Sequence, residues 1–235
     1  MHRPDNSKRP SRSDHRRSEA GFSFIEILIV MGIISVLVGG VVVAIGMWSQ
    51  KGPEFATKNT LNKTKMLIEK WKSWASFHPP GDVTKIGVIT GTGGKVSAPD
   101  NRVNEGIESI YQALYWPGFK SDPQWDSELE LKNKDEDKLR KAVNKLGTTE
   151  LMEIVDGWGN PLIYFHSQDY KKYADGGQTY SATNPMDGVD MDVEARPWQR
   201  EDGTFFNPLG FQIYSMGPDG EPNTEDDVTT WTKED

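Results

Sequence analysis

Twenty-four consecutive residues, Ile27 to Gln50, carry no charge, and nearly all of them are apolar. A spanning helix needs about 20 such residues at roughly 1.5 Å rise each, so this run predicts a membrane-crossing helix. It exceeds the apolar core of about 7–15 residues in an ordinary secretory signal. Small residues interrupt it. Gly32, Ser35, Gly39, Gly40 and Gly46 would permit close helix packing, and Pro53 favours a kink or break just after it. Over 54–77, Leu61, Ile68, Trp71 and Ala75 recur at helical spacing, with Leu67 and Trp74 widening the stripe. That stripe predicts a core-facing amphipathic helix, stopped by His78-Pro79-Pro80-Gly81.

Farther on the pattern is weaker. Residues 81–105 read as loop, rich in Gly, Asp, Asn and Thr. A helix is predicted over 104–115, with Asn101 or Asn104 as its cap. A second, with a solvated charged face, is predicted over 126–146, and a short helical turn over 148–154. Asp156-Gly157-Trp158-Gly159-Asn160-Pro161 is a dense turn signal. Residues 162–165, 205–206 and 211–215 read as strands, with mostly polar loop over 166–204. A long helix, small helices and then strands predict an α+β fold.

Composition adds two facts. The 235 residues include 8 Trp, 7 Tyr and 9 Phe, enough to build a core, and no cysteine. Disulfide frameworks, thiolate zinc sites and a Cys nucleophile are thereby excluded. The net charge of −8 is unevenly spread. Residues 1–21 hold 6 basic and 3 acidic side chains, or +3, which leaves −11 for 22–235. Positive flanks stay cytoplasmic, so the N-terminus is expected inside and the acidic body outside. That acidic body also argues against nucleic acid as a partner.

Two residues depart from a generic anchor. Gly21 precedes the apolar run, and Glu26 lies within it, after Phe22, Phe24 and Ile25. An ionisable group inside a membrane helix costs about 2.5–3.5 kcal/mol, so it implies a partner or a function, unless it snorkels to the headgroups. Gly21-Phe22-Ser23-Phe24-Ile25-Glu26 followed by ILIVMGIISVLV resembles the class III signal of type IV pilins and pseudopilins. The resemblance implies cleavage after Gly21 by a prepilin peptidase and N-methylation of Phe22. It also makes Glu26 the acid that neutralises the new amine during assembly. The implied domains are a cleaved leader at 1–21, a transmembrane half-helix at 22–50 and a periplasmic pilin-like globular domain at 51–235. The implied fold is a long N-terminal helix on a small antiparallel sheet.

Three later islands are similar to the major, G-type pseudopilin of type II secretion. They are Glu105-Gly106-Ile107 through Leu114, Asp156-Gly157-Trp158-Gly159-Asn160-Pro161-Leu162, and Tyr214-Ser215-Met216-Gly217-Pro218-Asp219-Gly220. Gly157 stands where that family has proline. Segments near 118–150 and 166–204 look like insertions. The loop 215–227 concentrates Asp219, Glu221, Glu225, Asp226 and Asp227. By composition it is a solvated acidic turn, and Thr224 occupies the place where an EF-hand needs glycine. The resemblance instead implies calcium, held by Asp219, one of Asp226 or Asp227, and Ser215 as a weaker donor. A second cluster, Asp187, Asp190, Asp192 and Glu194, reads as solvated loop.

Catalytic signals are thin. Gly91-Thr92-Gly93-Gly94-Lys95 fails as a phosphate loop, because Ile89 and Val96 occupy required positions. Ser215 lacks the preceding glycine of a nucleophile elbow, and no HExxH pattern exists. The expectation is therefore no enzyme but an inner-membrane filament subunit. The resemblance implies a homo-oligomeric pseudopilus, with other pseudopilins, an assembly ATPase, a platform protein and an outer-membrane secretin as partners. A type IV pilus subunit or minor pseudopilin is the alternative, and a membrane-anchored binding protein a weaker one.

Overall fold

The computed structural model describes residues 23–91, 96–97, 101–142, 144–185 and 187–232, the side chains of 39–50 and 96–97 excepted. The leader and the residues Gly21 and Phe22 lie outside that range, as do residues 92–95 of the rejected phosphate loop. The chain divides into two compact units, Met1–Met47 and Trp48–Asp235.

Helix α1, Phe24–Ala75, begins in the first unit. Its apolar side chains over 24–38 are exposed, Phe24 and Val36 most of all at 76%. Among the described residues no helix is long and apolar enough to cross a membrane. The second half of the predicted span 27–50 lies outside the described side chains. Of the kink or break expected at Pro53, the break does not occur: α1 runs on as helix through it. Proline removes one backbone donor without ending this helix, and the Thr57 hydroxyl donates to the Pro53 carbonyl at 2.8 Å.

In the second unit the stripe on α1 is core, as predicted. Leu61, Leu67, Ile68 and Trp71 are all buried. Each such side chain contributes about 1.5–3 kcal/mol of transfer free energy. Trp74 stays half exposed, 5.0 Å from the Trp71 ring centroid. The helix ends at Ala75, where Ser76 turns left-handed at φ 70 ahead of the prolines.

The remaining elements are α2 (Val83–Ile89), β1 (Val96–Ser97), α3 (Glu105–Leu114), α4 (Pro123–Asp126), β2 (Leu131–Lys132), β3 (Lys138–Leu139), β4 (Glu153–Ile154), β5 (Ile163–His166), α5 (Tyr170–Gly176), β6 (Gln178–Thr183), β7 (Asp190–Ala195), β8 (Phe211–Ser215) and β9 (Val228–Thr229). The fold is α+β. An antiparallel sheet of order β5-β8-β9 forms its centre, with Ile163 opposite Tyr214 and His166 opposite Phe211. Every residue of β5 and β8 is buried, so neither strand shows alternation. Helix α3 packs on β4 and β5.

Several expectations are corrected. The loop predicted at 81–105 contains α2, capped by Asp82, whose carboxylate accepts from Lys85 N. The helix predicted over 126–146 is absent from the described part of that segment, which holds only the last residue of α4 and forms β2 and β3 instead. Its charges hid the cause: Leu129, in a bend, and Leu139, in β3, are buried, and Glu136 turns at φ 63. The helical turn at 148–154 is instead strand β4, paired with β2. The polar loop at 166–204 holds α5 and the β6–β7 hairpin, in which Thr183 faces Asp190. Of the strand expected at 205–206, only a bridge between Gln199 and Phe205 forms.

His78 and His166 are buried near one another, ring centroids 6.4 Å apart, with Phe211 5.0 Å from His78. Burial lowers the pKa of each, against the raising effects of Glu69 on His78 and Asp169 on His166. A depressed folded pKa contributes stability above the unfolded value of about 6.5, and that contribution is lost as pH falls through it. The melting temperature of a His78→Gln/His166→Gln variant should therefore fall less than wild type between pH 7.5 and 5.5, a window set about that value. Parallel curves would exclude these histidines.

Candidate functional site

At the start of α1 the sequence builds its own cap. Ser23 precedes the first helical residue, which puts Glu26 at the third helical position. There the Glu26 carboxylate accepts from Ser23 N at 3.3 Å, half of a capping box. A carboxylate at that position also opposes the helix dipole favourably. Glu26 is exposed and lies amid exposed Phe24, Ile25 and Ile27. The acid and apolar surface are thus presented together on one short stretch of helix.

The second candidate is the C-terminal loop. Asp219 and Asp226 come together there: Asp219 N donates to Asp226 Oδ2 at 3.3 Å. The Thr224 hydroxyl lies within hydrogen-bond reach of Asp219 Oδ2, Asp226 Oδ1 and the Glu221 carbonyl. One hydroxyl proton cannot serve three acceptors at once. Burial first, and Asp226 beside it, raise the Asp219 pKa, whereas hydrogen bonds from Thr224 and Asp219 lower that of Asp226. Asp219 Oδ1 also accepts from Glu221 N at 2.8 Å, and the group is made of hard oxygens of the kind a cation such as calcium takes.

The other two candidate ligands have different partners. Ser215 is fully buried at the end of β8, and its hydroxyl donates to Asp156 Oδ2 at 2.5 Å. Asp227 Oδ2 accepts from Trp198 Nε1 at 3.2 Å and from Asn223 N at 2.9 Å. Asp226 and Asp227 also border a groove of about 780 Å³ whose other wall includes Pro53, Glu54, Lys58 and Trp158.

Sequence reasoning missed the role of Asp156, which it read only as a turn former. Its Oδ1 accepts from Trp158 N and Asn160 N, both at 2.9 Å, while Oδ2 takes the Ser215 hydroxyl. Two islands of resemblance, 156–162 and 214–220, are thus joined by one buried carboxylate. The Gly157 position meets the helix itself: a Cβ there would lie 2.2 Å from the Pro53 carbonyl oxygen, and Gly157 N donates to the Thr57 hydroxyl. The acidic residues of the second cluster, Asp187, Asp190, Asp192 and Glu194, are exposed on or beside β7. Asp190 pairs there with Lys134 at 3.0 Å.

No curated protein and no solved structure matches the chain. Residues 16–42 match the family model of the prokaryotic N-terminal methylation motif, which takes in Gly21, Phe22 and Glu26. The match covers 27 of the 235 residues, the same segment that resembles the type IV pilin signal.

Proposed function

We propose that the chain is a structural, non-catalytic subunit of a type II secretion pseudopilus. The observation that carries this reading is the methylation motif, with Glu26 and an exposed apolar surface together at the start of α1. The precursor inserts in the inner membrane with its basic leader inside and its acidic domain in the periplasm. Prepilin peptidase cleaves after Gly21 and Phe22 is methylated. A cytoplasmic ATPase and an inner-membrane platform protein add subunits, and the growing filament, with other pseudopilins, drives cargo through a secretin.

The choice of pseudopilus over pilus rests on the C-terminal loop. Many pilins close that loop with a disulfide, which this cysteine-free chain cannot form. Here Asp219 and Asp226 converge instead, and we assign calcium to them. The ion would pin the loop beside the groove at Pro53 and Trp158, where a neighbouring subunit would dock.

Mass spectrometry of the chain extracted from membranes tests the processing. The expected N-terminus is a singly methylated Phe22. An intact leader in a host with active peptidase would overturn the filament reading and favour a membrane-anchored binding protein.

A further inference from the structure

Three carboxylates that no motif connects meet beside α3. Glu108 belongs to the first turn of α3, Asp135 to the loop between β2 and β3, and Glu153 to β4. One oxygen from each lies within 4.8 Å of the other two. Glu153 is fully buried, Glu108 is 2% exposed and Asp135 is half-buried.

The group is short of positive charge, although Asp135 takes hydrogen bonds from Asp137 N at 3.4 Å and from the Asn101 side chain. Glu108 Oε1 is buried with no hydrogen-bond partner, and so is Asp135 Oδ2. Glu153 is held in place, its Oε1 accepting from Asn104 Nδ2 and its Oε2 from Lys134 N, both at 3.1 Å. Among the described residues, no Lys, Arg or His forms an ion pair with any of the three. The nearby Lys134 ammonium is turned to Asp190. The charges bearing on Glu108 are Asp135, Glu153, Asp137 and Glu105, all acidic. Burial and that repulsion push Glu108 well above the usual carboxylate range, and burial with Asp135 pushes Glu153 up to about 8. Such a group is costly as it stands and is relieved by an added cation.

We propose that Glu108, Asp135 and Glu153 form a site for a divalent cation, preferentially calcium, separate from the C-terminal loop. Oxygen-only ligands favour calcium or magnesium over metals that prefer thiolate or imidazole. Calcium–oxygen distances of about 2.3–2.6 Å place opposite ligands roughly 5 Å apart, against about 4 Å for magnesium. The three oxygens lie within 4.8 Å of one another, inside the reach of one such ion, and magnesium's reluctance to shed water disfavours it at so buried a place. Asn133 Oδ1, buried on the same loop without a hydrogen-bond partner, is a further oxygen of the type calcium takes. The ion would tie the β2–β3 loop to α3 and β4, bracing the segment near 118–150 that looks like an insertion.

Equilibrium dialysis of the detergent-solubilised full chain against radioactive calcium, after chelator treatment, reads ions bound per chain. Glu108→Gln and Glu153→Gln should each lose one equivalent, both in wild type and in an Asp219→Asn background. Unchanged stoichiometry in both backgrounds would overturn the triad site. Loss or retention of an equivalent in Asp219→Asn alone bears only on the loop. Should the triad variants misfold by circular dichroism, the Asp219→Asn chain still decides. Its melting temperature should rise with calcium at about 1 mM, the range of extracellular sites, and less with magnesium. The absence of any calcium-dependent rise would overturn the proposal.

Discussion

Glu26→Ala and Glu26→Gln should both leave insertion and leader cleavage intact and abolish filament assembly. The two substitutions separate two roles of one carboxylate. In the single chain, Glu26 accepts from Ser23 N and caps α1. A glutamine oxygen can still accept that bond, so Glu26→Gln keeps the cap and loses the charge. In an assembled bundle the processed Phe22 amine would be surrounded by apolar side chains such as Phe24, Ile25 and Ile27. Removing the charged partner of a desolvated amine costs about 2–5 kcal/mol, which is at least roughly thirtyfold in affinity for each added subunit. Pelleting of sheared filaments, with membrane fractionation and N-terminal sequencing as controls, reads assembly separately from insertion and cleavage. Normal filaments from Glu26→Gln but none from Glu26→Ala would mean that the cap, not the charge, is what assembly needs.

What could be read in advance followed the strength of local signals. The buried stripe of α1 was legible because Leu61, Ile68 and Trp71 repeat with the helical period and nothing else competes. Strand β8 was legible because Phe211, Ile213 and Tyr214 are β-prone and the run lies between Gly210 and Gly217. The segment 126–146 misled because its abundant charge looks like a solvated helix face. Its conformation is set by distant partners, Glu153 and Ile154 of β4 among them, and those pairings leave no local trace. The β6–β7 hairpin was missed for the opposite reason: Asp190, Asp192 and Glu194 alternate with Met191 and Val193, and the acids masked a period of two. Sites behaved likewise. Gly21, Phe22 and Glu26 are contiguous and carry a motif. Glu108, Asp135 and Glu153 are scattered over forty-five residues of sequence and become a group only through α3 and β4.

Gly106 gives the sharpest test of the packing, because its substitution is predicted by sign as well as size. Gly106 lies in the first turn of α3, where replacing glycine with alanine gains up to about 1 kcal/mol of helix propensity. Were there room at this position, Gly106→Ala would stabilise the protein. There is none: a Cβ would lie 2.4 Å from the Tyr164 carbonyl oxygen and 2.4 Å from Tyr180 Oη. That hydroxyl donates to Tyr164 O at 3.2 Å and accepts from Tyr164 N at 3.1 Å, linking β5 to β6 in a fully buried place. Alanine must push α3 away from β5 or break both bonds. Overpacking costs about 1–3 kcal/mol and stranded buried groups about 1–3 more, so after the gain in propensity a net loss of roughly 1–5 kcal/mol is expected. Against a total stability of about 5–15 kcal/mol, this should be plain in a urea melt. Tyr180→Phe removes only the hydroxyl and should lose about 1–3 kcal/mol. The two losses should not add in the double variant, since both act on the same junction. A Gly106→Ala chain as stable as wild type would mean that α3 does not approach β5 so closely.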